Sequence, residues 1–191
     1  MPQLAERIGM PIWAAAAVIA LAVAAAVTDI RGGKVPNWLT YPAVIVALAG
    51  HALTGGLSGP GPYFGLGGAA AGLVAGLAPM LVIRLLGGIG GGDAKLMAAF
   101  GALGGWRFAL SAMLLAFVAG GLMAVVVMIR KRIVVRTLKR ILLAVLTAMS
   151  GAKADVDGGG QEPSPTVPFA VALAIGAVAA GLATYWGVSP M

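Results

Sequence analysis

The sequence predicts an all-α membrane protein that crosses the bilayer several times. Hydrophobic residues make up 60% of the 191-residue chain, charged residues make up 10%, and the mean hydropathy is +0.99. Soluble domains have roughly 45–50% apolar and about 25% charged residues, so this composition excludes that class. The apolar runs lack the period-two alternation of a transmembrane barrel. A spanning helix needs about 20 residues, and the chain therefore allows roughly five to seven spans.

Six apolar runs account for this length. The fourth and fifth come from one continuous apolar stretch, which we divide at Gly104-Gly105 because paired glycines break a helix. The Trp106-Arg107 pair that follows suits a membrane interface, and the fourth span is then unusually short. Thirty glycines favour close helix contact through small residues. The predicted spans are residues 12–28, 38–53, 64–86, 94–105, 106–129 and 167–187.

Basic residues predict the orientation of these spans. Of the 13 lysines and arginines, 11 fall in alternate connections, and seven of these lie between Arg130 and Lys153. The positive-inside rule places these connections in the cytoplasm and both termini on the extracytoplasmic side. Anionic lipid head groups, rather than nucleic acid, are the expected partners of the net charge of +7. We expect one integral-membrane domain over residues 1–191.

The long basic connection after the fifth span has a different pattern. Between Arg130 and Ser150, apolar side chains lie mostly on one helical face and basic side chains on the other. This pattern is typical of a helix that lies in the membrane interface. Gly151 to Thr166 then has the glycine, proline and serine content of a flexible loop. We therefore predict a cytoplasmic loop over residues 130–165, with an interfacial amphipathic helix followed by a flexible segment.

Two aspartates, Asp29 and Asp93, are the acidic residues placed against apolar spans. Asp29 closes the first span, and Asp93 follows three glycines at the entrance to the short fourth span. Carboxylates near hydrocarbon are costly, so both are candidates for a functional site. The basic connections put both on the cytoplasmic side, where helix packing can bring them together. Two adjacent carboxyl groups share a proton, and such an acid–base pair activates water without a metal.

Other roles fit the same residues. Asp29 can pair with Arg31 or Lys34, and Asp93 can be the N-cap of a helix that begins at Ala94. The two carboxylates also suit a small proton- or cation-coupled transporter that uses them as an ion relay, although such sites lie nearer mid-membrane. A scaffold for assembly of a secretion apparatus needs neither aspartate.

The residues around both aspartates carry a family resemblance. Two strings resemble the catalytic motifs of the type IV prepilin peptidases: D-I-R-G-G-K-V-P-N from Asp29, and G-x-G-D ending at Asp93. The run Val167-Pro168-Phe169 is similar to the start of the family's final helix. In addition to the two aspartates, the residues that support the resemblance are Pro36, Asn37, Gly90, Gly92, Lys95 and Pro168.

The resemblance implies a membrane aspartic endopeptidase that removes short basic leaders from prepilins at the cytoplasmic face of the bacterial inner membrane. Asp29 and Asp93 would be its catalytic pair, with no metal and no cofactor. Larger members of the family carry a cysteine-rich insertion after the first span and also methylate the new N-terminus. This chain has no cysteine and only a short connection there. It therefore resembles the minimal form of tight-adherence (Flp-type) pilus systems, and we do not expect methylation.

Two other side chains need an interpretation. Lys95 lies two residues after Asp93, where it could lower the pKa of the acid or orient it, but basic residues at span ends more commonly reach lipid head groups, and we expect that here. His51 is the only histidine and ends the second span on the side opposite to the aspartates. We interpret it as an interfacial residue without a catalytic role.

Overall fold

The computed structural model describes residues 10–59, 65–86, 89–130, 132 and 169–186. Over these residues the chain forms helices and no strand, which confirms the all-α prediction. Four of the helices are long and apolar enough to cross a membrane, and a fifth is shorter, with 17 residues. The helices are α1 (Ile12–Gly32), α2 (Asn37–Gly55), α3 (Leu66–Leu85), α4 (Gly91–Arg130) and α5 (Phe169–Tyr185).

Helix α1 continues past the predicted end of the first span, so Asp29 lies inside its last turn. Gly33 ends the helix, because its φ of 62° and ψ of 18° are left-handed values that glycine adopts without strain. The Gly33 N–H donates to the Asp29 carbonyl oxygen at 2.7 Å. Hydropathy marks where the apolar residues stop, whereas this glycine decides where the helical hydrogen bonds stop.

A short connection, residues 33–36, joins α1 to α2. Pro36 has an extended conformation, with φ −76° and ψ 148°, and Asn37 begins α2 directly after it. Pro36 therefore stands immediately before the first helical residue of α2. Because the connection is so short, the start of α2 lies at the same end of the helices as Asp29.

Helix α4 breaks at the predicted glycine pair. Gly105 has φ 83° and ψ 176°, which are not helical values, although the flanking residues are helical on both sides. We call residues 91–104 the first arm of α4 and residues 106–130 its second arm. The break lies where the apolar stretch was divided, since a glycine can turn the chain there at little steric cost.

Replacing Gly105 with alanine should destabilise the protein. The backbone values of Gly105 belong to a region that is essentially restricted to glycine, and a Cβ there costs about 1–3 kcal/mol. Thermal unfolding of the detergent-solubilised protein measures the effect. The matched control is Gly121→Ala on the same helix, where an added Cβ has no atom within 4 Å. If both variants unfold at the wild-type temperature, the break does not depend on glycine.

Most of the first arm of α4 is buried. Every residue from Leu96 to Gly104 is buried, as expected for a segment that is apolar all round. Helix α3 approaches this arm closely through glycine, because a Cβ on Gly72 would collide with the Gly101 carbonyl oxygen. Helix α1 packs along α5, and α2 contacts both α1 and α3. Asp93 thus lies at the start of a segment that is packed against neighbouring helices.

The chain divides into two compact units. The first contains residues 1–120 and 168–191, and the second contains residues 121–167. Both aspartates belong to the first unit. Of the predicted loop over 130–165, only Arg130 and Arg132 are among the described residues, so the interfacial helix and the flexible segment lie outside them. Pro168 lies outside the described residues as well.

Candidate active site

Asp29 is buried by the helical spacing of α1. The buried residues of this helix recur every three or four positions, and Asp29 continues their row at 7% exposure. This face of α1 meets α5, where the Ala170 backbone N–H donates to Asp29 Oδ2 at 3.0 Å. The first N–H groups of a helix have no partner inside the helix and favour a nearby negative charge. The carboxylate therefore satisfies the start of α5 and is held in place by it.

Asp93 lies in the first turn of α4 and is half-buried. The helix begins at Gly91 rather than at the predicted residue 94, so Asp93 is not the N-cap residue. Its carboxylate instead reaches back to the Gly90 backbone N–H. This is the reciprocal half of a capping box, in which the third helical residue satisfies the N–H before the helix. The short glycine run allowed the helix to start earlier than hydropathy indicated.

Glycines allow the chain to pack closely around Asp93. A Cβ on Gly90 would lie 3.1 Å from Asp93 Oδ2, and a Cβ on Gly92 would lie 3.0 Å from the Val35 carbonyl oxygen. The α1–α2 connection, which contains Val35, therefore rests directly on the turn that carries Asp93. This contact joins the two motif regions, which are far apart in the sequence.

The fold places the two carboxyl groups at the same end of the helices, because the connection that follows Asp29 packs on the turn that carries Asp93. One carboxyl is held by α5 and the other by the turn before α4. An acid pair of this kind can remove a proton from water and supply a proton to a carbonyl oxygen. Among the described residues, no group of three or more His, Cys, Asp or Glu side chains could hold a metal ion.

Lys95 contacts side chains at the start of α2 that the sequence did not identify. Its Nζ donates to Asn37 Oδ1 at 2.9 Å and to the Tyr41 hydroxyl at 3.0 Å, and it lies 4.9 Å from the centre of the Tyr41 ring. These contacts are exposed, and contact of Lys95 with lipid head groups stays a prediction. The start of α2 supplies two oxygen atoms that a sequence window around Lys95 does not contain.

His51 is buried, which contradicts its interpretation as an interfacial residue. It is 1% exposed, and its Nε2 donates to the Leu103 carbonyl oxygen at 3.0 Å. Its ring lies 4.9 Å from that of Trp13, centre to centre. Helix α1 and the first arm of α4 cover this end of α2, so a position at the end of a span is not a position at the surface. The absence of a catalytic role stays a prediction.

Two groups at the site were not found from the sequence. Tyr41 follows Asn37 by one helical turn and so shares its face, and this spacing was the signal that could have identified it. The Ala170 N–H has no side-chain signature, since any residue except proline would supply it. Only the packing of α5 on α1 places that N–H against Asp29.

A comparison with known families places both aspartates within one match. The sequence profile of the type IV leader peptidase family matches residues 16–125, which is more than half of the 191 residues. The match contains both motif regions, from Asp29 to Lys95, and ends before α5. No curated protein and no solved structure matches the chain significantly.

Proposed function

Since this chain belongs to the type IV leader peptidase family and is thus a membrane peptidase, we propose that it is an aspartic endopeptidase acting on prepilins. Asp29 and Asp93 form its catalytic pair. The observation that carries this proposal is the packing of the connection that follows Asp29 on the turn that carries Asp93, with both aspartates inside the family match. The contact of Val35 with Gly92 explains how the fold brings the motifs together.

The proposed reaction is hydrolysis of one peptide bond. One ionised carboxylate takes a proton from a water molecule, and the water oxygen attacks the carbonyl carbon of the substrate. The other carboxyl, which is protonated, donates its proton to the carbonyl oxygen. When the tetrahedral intermediate collapses, the C–N bond breaks and the amine leaves with the proton that the first carboxylate took from water. A hydroxyl of the intermediate returns its proton to the second carboxylate, so the pair returns to its starting state.

We place the pair at the cytoplasmic face of a bacterial inner membrane. Arg31 and Lys34 are exposed just after Asp29, and Arg84 is exposed at the end of α3. These basic residues support a cytoplasmic location for this end of the helices and contact with anionic lipids. With α4 counted as two spans because of its break at Gly105, the single membrane domain has six spans, and both termini are extracytoplasmic.

The proposed substrate is a Flp-type prepilin with a short basic leader before a hydrophobic helix. The chain contains no cysteine, which supports the minimal, non-methylating form of the enzyme. A hydrophobic substrate helix can enter from the bilayer and present the leader junction at the depth of Asp29 and Asp93.

Production of this chain should shorten a co-expressed Flp-type prepilin in a host that lacks its own prepilin peptidase. Mass spectrometry of the product should show removal of the leader before the hydrophobic helix and an unmethylated new N-terminus. A host without this chain is the control for background cleavage. A prepilin whose leader lysines and arginines are replaced by glutamine tests whether the basic leader is recognised.

If the protein is a transporter instead, the co-expressed prepilin should not be cleaved. The transporter function requires proton or cation flux into liposomes that depends on Asp93, together with intact prepilin in the co-expression experiment. Flux without cleavage would therefore overturn the peptidase proposal. Cleavage without flux would exclude the transporter.

A further inference from the structure

Lys95 links the two motif regions by polar contacts. It lies two residues after Asp93 on α4, while its two hydrogen-bond partners, Asn37 and Tyr41, lie on the first turns of α2. The ammonium also lies above the Tyr41 ring, where a cation is attracted to the aromatic face. All three contacts fix the start of α2 relative to the start of α4.

The Lys95–Asn37 hydrogen bond is a second contact that attaches the α1–α2 connection to the start of α4. Val35 already packs on Gly92, on one side of Pro36. Asn37, on the other side of Pro36, is the first residue of α2 and is bound to Lys95. The connection is therefore held against the Asp93 turn on both sides of the proline. Asp29 is held by the start of α5, so a shift of the connection moves the Asp93 turn relative to Asp29.

Lys95 acts through α2 rather than directly on the acids. The hydrogen bonds of its ammonium go to Asn37 and Tyr41, which both lie on α2. The contacts of Lys95 are exposed hydrogen bonds, and exposed polar contacts contribute little to stability. What these contacts determine is the position of the start of α2 relative to the start of α4.

We propose that Lys95 is a positioning residue of the active site, which holds Asn37 and Tyr41 so that Asp29 and Asp93 meet in a productive arrangement. This proposal rests on the peptidase function proposed above. It assigns a role to the lysine that follows G-x-G-D and to the asparagine of V-P-N. A displacement of reacting groups by about 1 Å can cost on the order of 100-fold in rate.

Steady-state cleavage of a prepilin by purified variants tests the proposal. Lys95→Met keeps the apolar stem but loses all three contacts, and we expect kcat to fall about 10- to 100-fold with KM unchanged. Asn37→Leu should cause a similar loss. Asn37→Asp keeps the acceptor, and Lys95→Arg keeps a donor, so each should retain most of the activity. The control Lys34→Met removes an exposed positive charge from the same connection and should leave kcat unchanged.

The double variant Asn37→Leu/Lys95→Met separates positioning from independent effects. If the two residues act through one contact, the double variant should be no slower than the slower single variant. Multiplied losses would overturn the proposal. A raised KM at unchanged kcat would also overturn it, because Lys95 would then bind substrate instead of positioning the acids.

A readout without substrate distinguishes this proposal from the peptidase function itself. Arg31 and Lys34 are exposed trypsin sites close to the connection. We expect detergent-solubilised Lys95→Met to be cut there several-fold faster than wild type, while Lys95→Arg resembles wild type. If wild type does not cleave prepilin but the trypsin result holds, the proposed reaction fails and the attachment by Lys95 stands. Wild-type trypsin sensitivity in Lys95→Met would overturn the attachment even in an active enzyme.

Discussion

Asp29→Asn and Asp93→Asn should each abolish leader removal while the protein stays in the membrane. An amide can neither take a proton from water nor donate one as a carboxyl group does. Loss of general acid–base catalysis costs about 10²- to 10⁴-fold in rate, which would leave the co-expressed prepilin at its full length. Because the two acids act as one unit, the double variant should be no less active than either single variant. Prepilin processing and membrane content are measured in the same cells.

At position 29, replacement with asparagine is easier to interpret than replacement with alanine. The Ala170 N–H donates to Asp29 Oδ2, and the side-chain oxygen of asparagine can accept the same hydrogen bond. Asp29→Ala would leave a buried N–H without an acceptor, at a cost of about 1–3 kcal/mol, so its inactivity would be ambiguous. Asp155→Asn is the matched control, because the sequence assigns no role to that acid. A single Asp29→Asn or Asp93→Asn variant that still cleaves prepilin would exclude the pair as the catalytic centre.

The candidate site could be predicted from the sequence only where a residue's role depends on its own neighbours in the chain. Asp29 and Asp93 were identified because a carboxylate beside an apolar run is unusual wherever that run packs. The break at Gly105 followed from paired glycines and from the length of one apolar stretch. Each of these inferences uses local chemistry and needs no knowledge of which helices touch.

The contacts that the sequence did not predict depended on packing between distant segments. Lys95 and His51 both lie at span ends, and both were expected at the membrane interface. One binds the start of α2, and the other is covered by α1 and by the first arm of α4. Hydropathy gives the depth of a residue along a helix, but it does not say which side of the helix faces protein. The same reason explains why the Ala170 N–H was missed.

Gly72→Val should cause a large loss of folded protein, because α3 and α4 touch there through backbone atoms. A Cβ at Gly72 would collide with the Gly101 carbonyl oxygen, and a Cβ at Gly101 would collide with the Gly72 carbonyl oxygen. Backbone atoms cannot rotate away as a side chain can. Overpacking of this kind costs about 1–3 kcal/mol or more, which lowers the melting temperature by roughly 5–10 °C. Thermal unfolding in detergent and the yield from membranes measure the loss.

The destabilisation should depend on the size of the new side chain and on which glycine is replaced. Gly72→Ala should already be destabilised, and Gly72→Val more so, whereas Gly181→Val on α5 adds the same atoms where nothing lies within 4 Å. In a membrane, helices gain little from hydrophobic burial against each other and depend on close contact of small residues. Separation of α3 from α4 should therefore also reduce cleavage, because the first arm carries Asp93 at its start. Equal melting temperatures for Gly72→Val and Gly181→Val would show that this glycine contact does not hold the first arm in place.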